Sequence, residues 1–197
     1  MKLLREFYSR RALAALALVT ACTAGPRLVQ EPVPVPGSTT VYLVRHAEKV
    51  IANPSDADPD ISTIGRDRAK ALASRLGAAG VTAIMTTQFK RTQQTAEPLA
   101  SQLGISPVIL HVGSIGDTDS TVAAILRHRG GKVLVVGHSN TITPIIAALG
   151  GPKLPNLCDS EYSNLFILYI PPTGSPQLVK QHFGNADPVM DPQCNKM

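Results

Sequence analysis

Three clusters of polar residues directly follow apolar stretches of the chain, and their side chains suit chemistry on a phosphate group. The clusters span Arg45–Glu48, Thr87–Ala96 and Gly137–Asn140. Together they hold two arginines and two histidines, namely Arg45, His46, Arg91 and His138. An imidazole nitrogen can accept a phosphoryl group, which divides one slow displacement into two faster steps. A phosphoryl group in transit needs fixed donors around its three oxygens, and the guanidinium fork of arginine matches phosphate geometry.

The elements that position these clusters alternate between strand and helix. Apolar, β-branched stretches predict strands at 40–44, 83–85, 107–110, 132–136 and 165–170, with an edge strand at 177–183. Helices are predicted after the N-cap Ser62, at about 89–103, at 120–128, and after the third cluster, with Pro144 in the first turn. This alternation predicts a layered α/β fold with a mainly parallel central sheet. The carboxyl ends of such strands form one ligand-binding crevice, which would gather the three clusters.

Four segments also resemble the motifs of a known family, in the family's order. Leu43–Ala47 resembles the L-x-R-H-G/A signature of histidine phosphatases and cofactor-dependent phosphoglycerate mutases. Ile61–Ala69 is similar to L-T/S-x-x-G-x-x-Q-A, with Arg68 in place of the glutamine. Thr87–Ala96 is similar to S-x-x-x-R-x-x-x-T-A, and Gly137-His138 to the late G-H motif.

This resemblance implies a phosphoglycerate mutase-like, three-layer α/β/α fold and a phosphatase. The expected reaction is hydrolysis of phosphomonoesters or phosphoramidates through a phosphohistidine on His46, with Arg45, Arg91 and His138 on the same phosphate. The expected partner is a small phosphorylated molecule or a phosphoprotein, and neither a metal nor a cofactor is expected.

Three carboxylates are candidates for the general acid that protonates the leaving group. Asp117 is favoured by its spacing over Asp119 and Glu48, and Glu48 and Ser139 are alternatively expected to bind substrate. A phosphoramidate needs a weaker acid, since imidazole leaves more readily than an alkoxide. The lack of an obvious acid therefore favours a phosphoramidate.

Competing functions have weaker support. Asp117–Thr121 reads D-x-D-x-T, the nucleophile motif of magnesium-dependent aspartyl phosphatases, yet no long hydrophobic strand precedes it. The histidines show no close pair with zinc-ligand spacing, and no cysteine is followed by arginine in a C-x₅-R motif. A phosphomutase is disfavoured by the short stretch between Arg91 and His138. An inactive envelope protein that only binds phosphorylated ligands remains an alternative.

The N-terminal 22 residues predict export. Basic residues up to Arg11 precede the apolar run Ala12–Val19, which is a signal-peptide layout. Val19–Cys22 resembles the bacterial lipoprotein box, so Cys22 is expected to carry a lipid; an ordinary cleaved signal is the alternative. We therefore expect a signal peptide at 1–22, a proline-rich tether at 23–38 and the phosphatase domain at 39–197. The expected location is the cell envelope or periplasm, with the outer membrane favoured because Thr23 is not an aspartate.

Cysteine content and charge agree with that location. Cys158 and Cys194 form an even pair that an oxidising compartment would join in a disulfide. The formal charge of +5 is concentrated in the first eleven residues, without which 15 basic and 13 acidic residues remain. No basic stripe with interleaved aromatics is present, so nucleic-acid binding is not expected.

Overall fold

The computed structural model describes residues 35–53, 55–113, 117–188 and Cys194. The predicted signal peptide, Cys22 and the tether up to residue 34 lie outside these residues. Within the described part of the chain, no helix is both long and apolar enough to cross a membrane.

The described residues form one six-stranded sheet. Its strands are β1 (Thr39–Arg45), β2 (Ala83–Thr87), β3 (Val108–Leu110), β4 (Lys132–Gly137), β5 (Asn164–Ile170) and β6 (Gln177–His182). Their spatial order is β3-β2-β4-β1-β5-β6. The first four strands are parallel, β5 pairs antiparallel with β1, and β6 pairs antiparallel with β5 at the edge. The predicted strands and the mainly parallel sheet are confirmed.

Four helices connect the strands in the described ranges. They are α1 (Thr63–Leu76), α2 (Lys90–Leu103), α3 (Asp117–Leu126) and α4 (Ile142–Ala148). The Ser62 hydroxyl accepts a hydrogen bond from the Gly65 amide (3.1 Å), as expected of an N-cap. Helix α3 begins three residues before its predicted start, because two acidic residues, Asp117 and Asp119, favour its positively polarised first turn.

Two apolar cores cover the two faces of the sheet. Neighbouring strand residues point to opposite faces, so Val44 joins one core and Leu43 the other. Leu72 of α1 and Leu99 of α2 pack on the first face. Helices α3 and α4 cover the second face, where Ile125 is fully buried. The predicted three-layer α/β/α fold is confirmed.

The register of the central strands fixes the geometry of the crevice. Arg45, at the end of β1, is the partner of Gly137, at the end of β4. The His46 amide continues this pairing and donates to the Gly137 carbonyl (2.9 Å). The residues that follow β1 and β4 are therefore neighbours at one edge of the sheet.

Candidate active site

A cleft of about 650 Å³ opens where β1, β2 and β4 end. Its walls include the two arginines, the two histidines and two further predicted residues, namely Arg45, His46, Arg91, His138, Asp117 and Ser139. The structure thus brings together side chains that are up to 94 positions apart in the sequence. The parallel sheet accounts for this, because it presents the carboxyl ends of its strands at one edge.

The imidazole of His46 is buried and held in one tautomer. Its Nδ1 lies 2.8 Å from the carbonyl oxygen of Ala47. A carbonyl can only accept, so Nδ1 carries the proton and Nε2 keeps its lone pair. Burial is the main reason that the pKa of His46 falls from its ordinary 6.5 to about 3; the hydrogen bond to Ala47 opposes this shift and the positive charge of Arg45 adds to it. A neutral ring with a free lone pair is the form that can attack phosphorus.

His138 is the second buried imidazole of the cleft. Its ring centroid lies 5.4 Å from that of His46, in an edge-on arrangement. Its Nε2 lies 3.0 Å from the hydroxyl oxygen of Thr87, and this hydrogen bond orients the ring. Burial lowers the pKa of His138 to about 4, with a further contribution from the positive charge of Arg91. Both histidines are therefore neutral near physiological pH.

The guanidinium of Arg45 is held by a turn far along the chain. Its Nη1 donates to the carbonyl oxygens of Cys158 (2.7 Å), Asp159 (3.0 Å) and Glu161 (3.3 Å). The ring of Tyr162 packs against the guanidinium at 4.2 Å. The buried Nε has no hydrogen-bond partner within the described residues. An unpartnered buried donor is costly, and a bound anion in the cleft would satisfy it.

Arg91, in the first turn of α2, supplies the second guanidinium. It stacks over the ring of Phe89 at 4.3 Å, and its Nη1 lies 3.6 Å from a carboxylate oxygen of Asp58. Burial lowers the pKa of Arg91, but an arginine stays charged in proteins. The Asp58 carboxylate also accepts from the Lys90 amide (3.0 Å), so one side chain orients both Arg91 and the start of its helix.

Glu48 pairs with a buried arginine. Its carboxylate accepts hydrogen bonds from Nε (2.9 Å) and Nη2 (2.7 Å) of the buried Arg68. Glu48 is not among the residues that line the cleft. Arg68 therefore holds the Glu48 carboxylate by a charge-assisted pair, and substrate binding by Glu48 stays a prediction.

The two other candidate acids both lie on α3, but only one of them lines the cleft. Asp117 lines the cleft and its carboxylate accepts from the Gly113 amide, whereas Asp119 is exposed and does not line the cleft. The D-x-D-x-T sequence lies in the first turns of α3, not at the end of a hydrophobic strand. In the described part of the chain, no group of three or more His, Cys, Asp or Glu side chains could hold a metal ion.

Sequence reasoning missed the turn that binds Arg45 and the aromatic ring beside it. Tyr162 packs edge-on to His46 with ring centroids 6.1 Å apart, and burial raises the pKa of its hydroxyl. These residues lie between the predicted third cluster and β5, where no motif or periodic pattern marks them. Only the cysteine at position 158, noted for its pairing, pointed to this segment.

Comparison with known proteins agrees with this geometry. Residues 41–112 match the model of the histidine phosphatase superfamily (branch 1). The fold is similar to that of the protein histidine phosphatase SixA complexed with tungstate (TM-score 0.58, 19% identity, 73% of this chain and 96% of that one). It is also similar to a mycobacterial glucosyl-3-phosphoglycerate phosphatase (TM-score 0.55, 17% identity, 72% of this chain and 97% of that one).

A curated relative matches part of the same region. A probable phosphoglycerate mutase of Yersinia enterocolitica is 37% identical over 73 residues, which are 34% of this chain and 34% of the relative. The chain spans 20% of the length of another curated relative that it matches. Residues 41–112 are thus similar to the histidine phosphatase superfamily, and the described fold is similar to that of solved histidine phosphatases.

Proposed function

We propose that the chain is a phosphatase that hydrolyses phosphomonoesters or phosphoramidates through a phosphohistidine on His46. The observation that carries the proposal is the state of His46. Its ring is neutral, its Nδ1 proton is engaged by the Ala47 carbonyl, and its other nitrogen shares a cleft with Arg45, Arg91 and His138.

The reaction proceeds in two displacements. The Nε2 lone pair of His46 attacks phosphorus, an N–P bond forms, and the bond from phosphorus to the leaving oxygen or nitrogen breaks. Water then attacks the phosphohistidine, releases inorganic phosphate and restores the imidazole. Arg45, Arg91 and His138 donate to the phosphoryl oxygens, whose negative charge they stabilise in both transition states.

Asp117 is the proposed general acid. Its carboxylate stands at the cleft wall, from which a proton can reach a leaving oxygen, and the same group can accept a proton from the attacking water. The two substrate classes differ in how much they need it. Loss of Asp117 should slow hydrolysis of an alkyl phosphate more than hydrolysis of a phosphoramidate, whose nitrogen leaving group departs more readily.

The fixed positive charges of the cleft do the work of a cation, so we propose that the reaction needs no metal. Two guanidinium groups and the N–H of His138 can together bind the three oxygens of one phosphoryl group. Turnover in excess chelator should equal turnover without it. A loss that magnesium restores would return the aspartyl mechanism to consideration.

Turnover of p-nitrophenyl phosphate and of phosphohistidine by the full chain tests the proposal. We expect His46→Ala to abolish turnover of both while His128→Ala, outside the cleft, keeps it. Acid-labile, base-stable phosphate should be trapped on the wild type and not on His46→Ala. If the wild type binds phosphate without turning over either compound, the chain is a binding protein instead.

A further inference from the structure

The turn that holds Arg45 lies outside the helices and strands. We call residues 158–161 the Arg45-binding turn, since three of its carbonyl oxygens accept from Nη1 of Arg45. A guanidinium whose Nη1 is committed in this way cannot rotate freely. The turn therefore sets the direction of the remaining unpartnered donor, the Nε of Arg45.

Hydrogen bonds within the Arg45-binding turn and one covalent link contribute to its shape. The Glu161 carboxylate accepts from the Cys158 amide (2.8 Å), and the Glu161 amide donates to the Cys158 carbonyl (3.0 Å). The covalent link is the disulfide between Cys158 and Cys194, whose Cα atoms are 5.6 Å apart. Cys158 thus carries both the covalent link and the shortest of the three carbonyl contacts to Arg45.

We propose that the Cys158–Cys194 disulfide positions Arg45, so that breaking it weakens the phosphate site. The inference rests on the proposed function, because it assigns Arg45 to phosphate. When the disulfide is broken, the turn gains freedom and the three carbonyls no longer hold the guanidinium in one orientation. A displacement of about 1 Å in such a donor can cost on the order of 10²-fold in rate.

The step itself is a thiol–disulfide exchange. A dithiol reductant donates two electrons, the S–S bond breaks, two thiols form on Cys158 and Cys194, and the dithiol becomes its own disulfide. An oxidising compartment keeps the bond closed. The enzyme would thus be fully competent only where its disulfide is stable.

The test compares the oxidised full chain with the same protein reduced by dithiothreitol, at a temperature where both remain folded by circular dichroism. We expect reduction to raise the Kd for inorganic phosphate by roughly 10- to 100-fold and to lower kcat/KM for p-nitrophenyl phosphate comparably. Reoxidation should restore both values. Cys158→Ser/Cys194→Ser should match the reduced protein and ignore dithiothreitol, whereas Cys22→Ser should respond as the wild type does.

An Arg45→Ala background separates positioning from general stability. If the disulfide acts through Arg45, reduction should leave the Kd for phosphate of Arg45→Ala unchanged. An equal loss with and without Arg45, or equal binding by the oxidised and reduced wild type, would overturn the inference. Glu161→Ala loosens the same turn with both cysteines in place and should also weaken phosphate binding.

A spectroscopic measurement keeps the inference testable if the proposed function fails. The Nε–H resonance of Arg45, identified by its absence in Arg45→Ala, should shift and broaden on reduction. Absent turnover with such a shift would reject the phosphatase but retain the positioning role. Normal turnover with an unchanged resonance would retain the phosphatase and reject the positioning role.

Discussion

At the residue scale, two neutral imidazoles in one cleft give the protein a distinct response to acid. The folded state holds the pKa of His46 at about 3 and that of His138 at about 4, below the ordinary value of 6.5. Between these values the unfolded chain binds more protons than the folded one. Stability should therefore fall as pH decreases from about 6.5 towards 4.

The corresponding prediction concerns the histidine resonances. In phosphate-free buffer, the Cε1–H signals of His46 and His138 should remain those of neutral imidazole from pH 8 down to pH 5. Arg91→Gln should raise the pKa of His138, because it removes a nearby positive charge. Arg66→Gln, outside the cleft, is the control. Titration of either ring near pH 6.5 in the wild type would contradict the proposed neutral nucleophile.

A second prediction concerns Arg91, which we propose binds the phosphoryl group together with Arg45. Arg91→Ala should lower kcat/KM by roughly 10²–10⁵, the range associated with lost donors to a transition state. Arg91→Lys should recover little of it, since lysine offers neither the planar fork nor the stacking on Phe89. Steady-state kinetics on p-nitrophenyl phosphate measure the loss. A lysine variant with near-normal kcat/KM would mean that charge alone is required.

At the element scale, the start of α1 is fitted closely to the loop after β1. The Ser62 amide donates to the Glu48 carbonyl (2.7 Å), and a Cβ on Gly65 would lie 2.3 Å from that same oxygen. No side chain can occupy that position without moving the backbone. The requirement for glycine at position 65 is thus explained by its close packing against the backbone of Glu48.

Arg68 joins that loop to the C-terminal segment. Besides Glu48, it donates to the carbonyls of Phe183 (2.9 Å) and Asn185 (3.0 Å), and lies 3.8 Å from a carboxylate oxygen of Asp187. The Asp187 carboxylate in turn accepts from the Tyr162 amide (2.9 Å). One buried guanidinium therefore ties the loop after the nucleophile to the residues around Tyr162.

We predict that Arg68→Gln lowers the free energy of unfolding by about 3 kcal/mol, because removing one partner leaves a partly buried carboxylate uncompensated. Urea denaturation measures the change. Arg75→Gln, whose side chain is exposed, should cost less than about 0.5 kcal/mol. Adding Glu48→Gln to Arg68→Gln should recover part of the loss. Equal costs at positions 68 and 75 would show that the network contributes no stability.

The fold, and the gathering of two arginines and two histidines in one cleft, could be predicted because they depend on local patterns. Strand hydrophobicity fixed which residues end β1 and β4, and parallel pairing then placed His46 beside His138. The role of Glu48 could not be predicted, since its partner depends on how α1 packs. Tyr162 and its turn were missed because contacts across more than 110 positions leave no periodic signal.

At the scale of the whole molecule, the disulfide and the charge distribution both agree with the proposed export to an oxidising compartment. The disulfide between Cys158 and Cys194 is of a kind that persists mainly in oxidising environments. The surplus of positive charge lies mainly in the first eleven residues, and we propose that it orients an export signal. Without those eleven residues, 15 basic and 13 acidic residues remain, which agrees with the proposed action on small phosphorylated compounds.

We propose that the mature protein is held at the envelope by a lipid on Cys22, beyond the described residues. Cys22→Ser should release the protein from the membrane fraction or leave an uncleaved precursor, since the cysteine is both the cleavage boundary and the acceptor. Thr23→Asp is the matched variant: it should keep the lipid but favour the inner membrane in a host with two membranes. Fractionation and intact-mass spectrometry check both variants. Full-length protein with an unmodified Cys22 in the cytosol would contradict the anchor. If Cys158 and Cys194 in that sample could be alkylated, the disulfide would be open. The Arg45-binding turn would then be in the state for which we expect weaker phosphate binding.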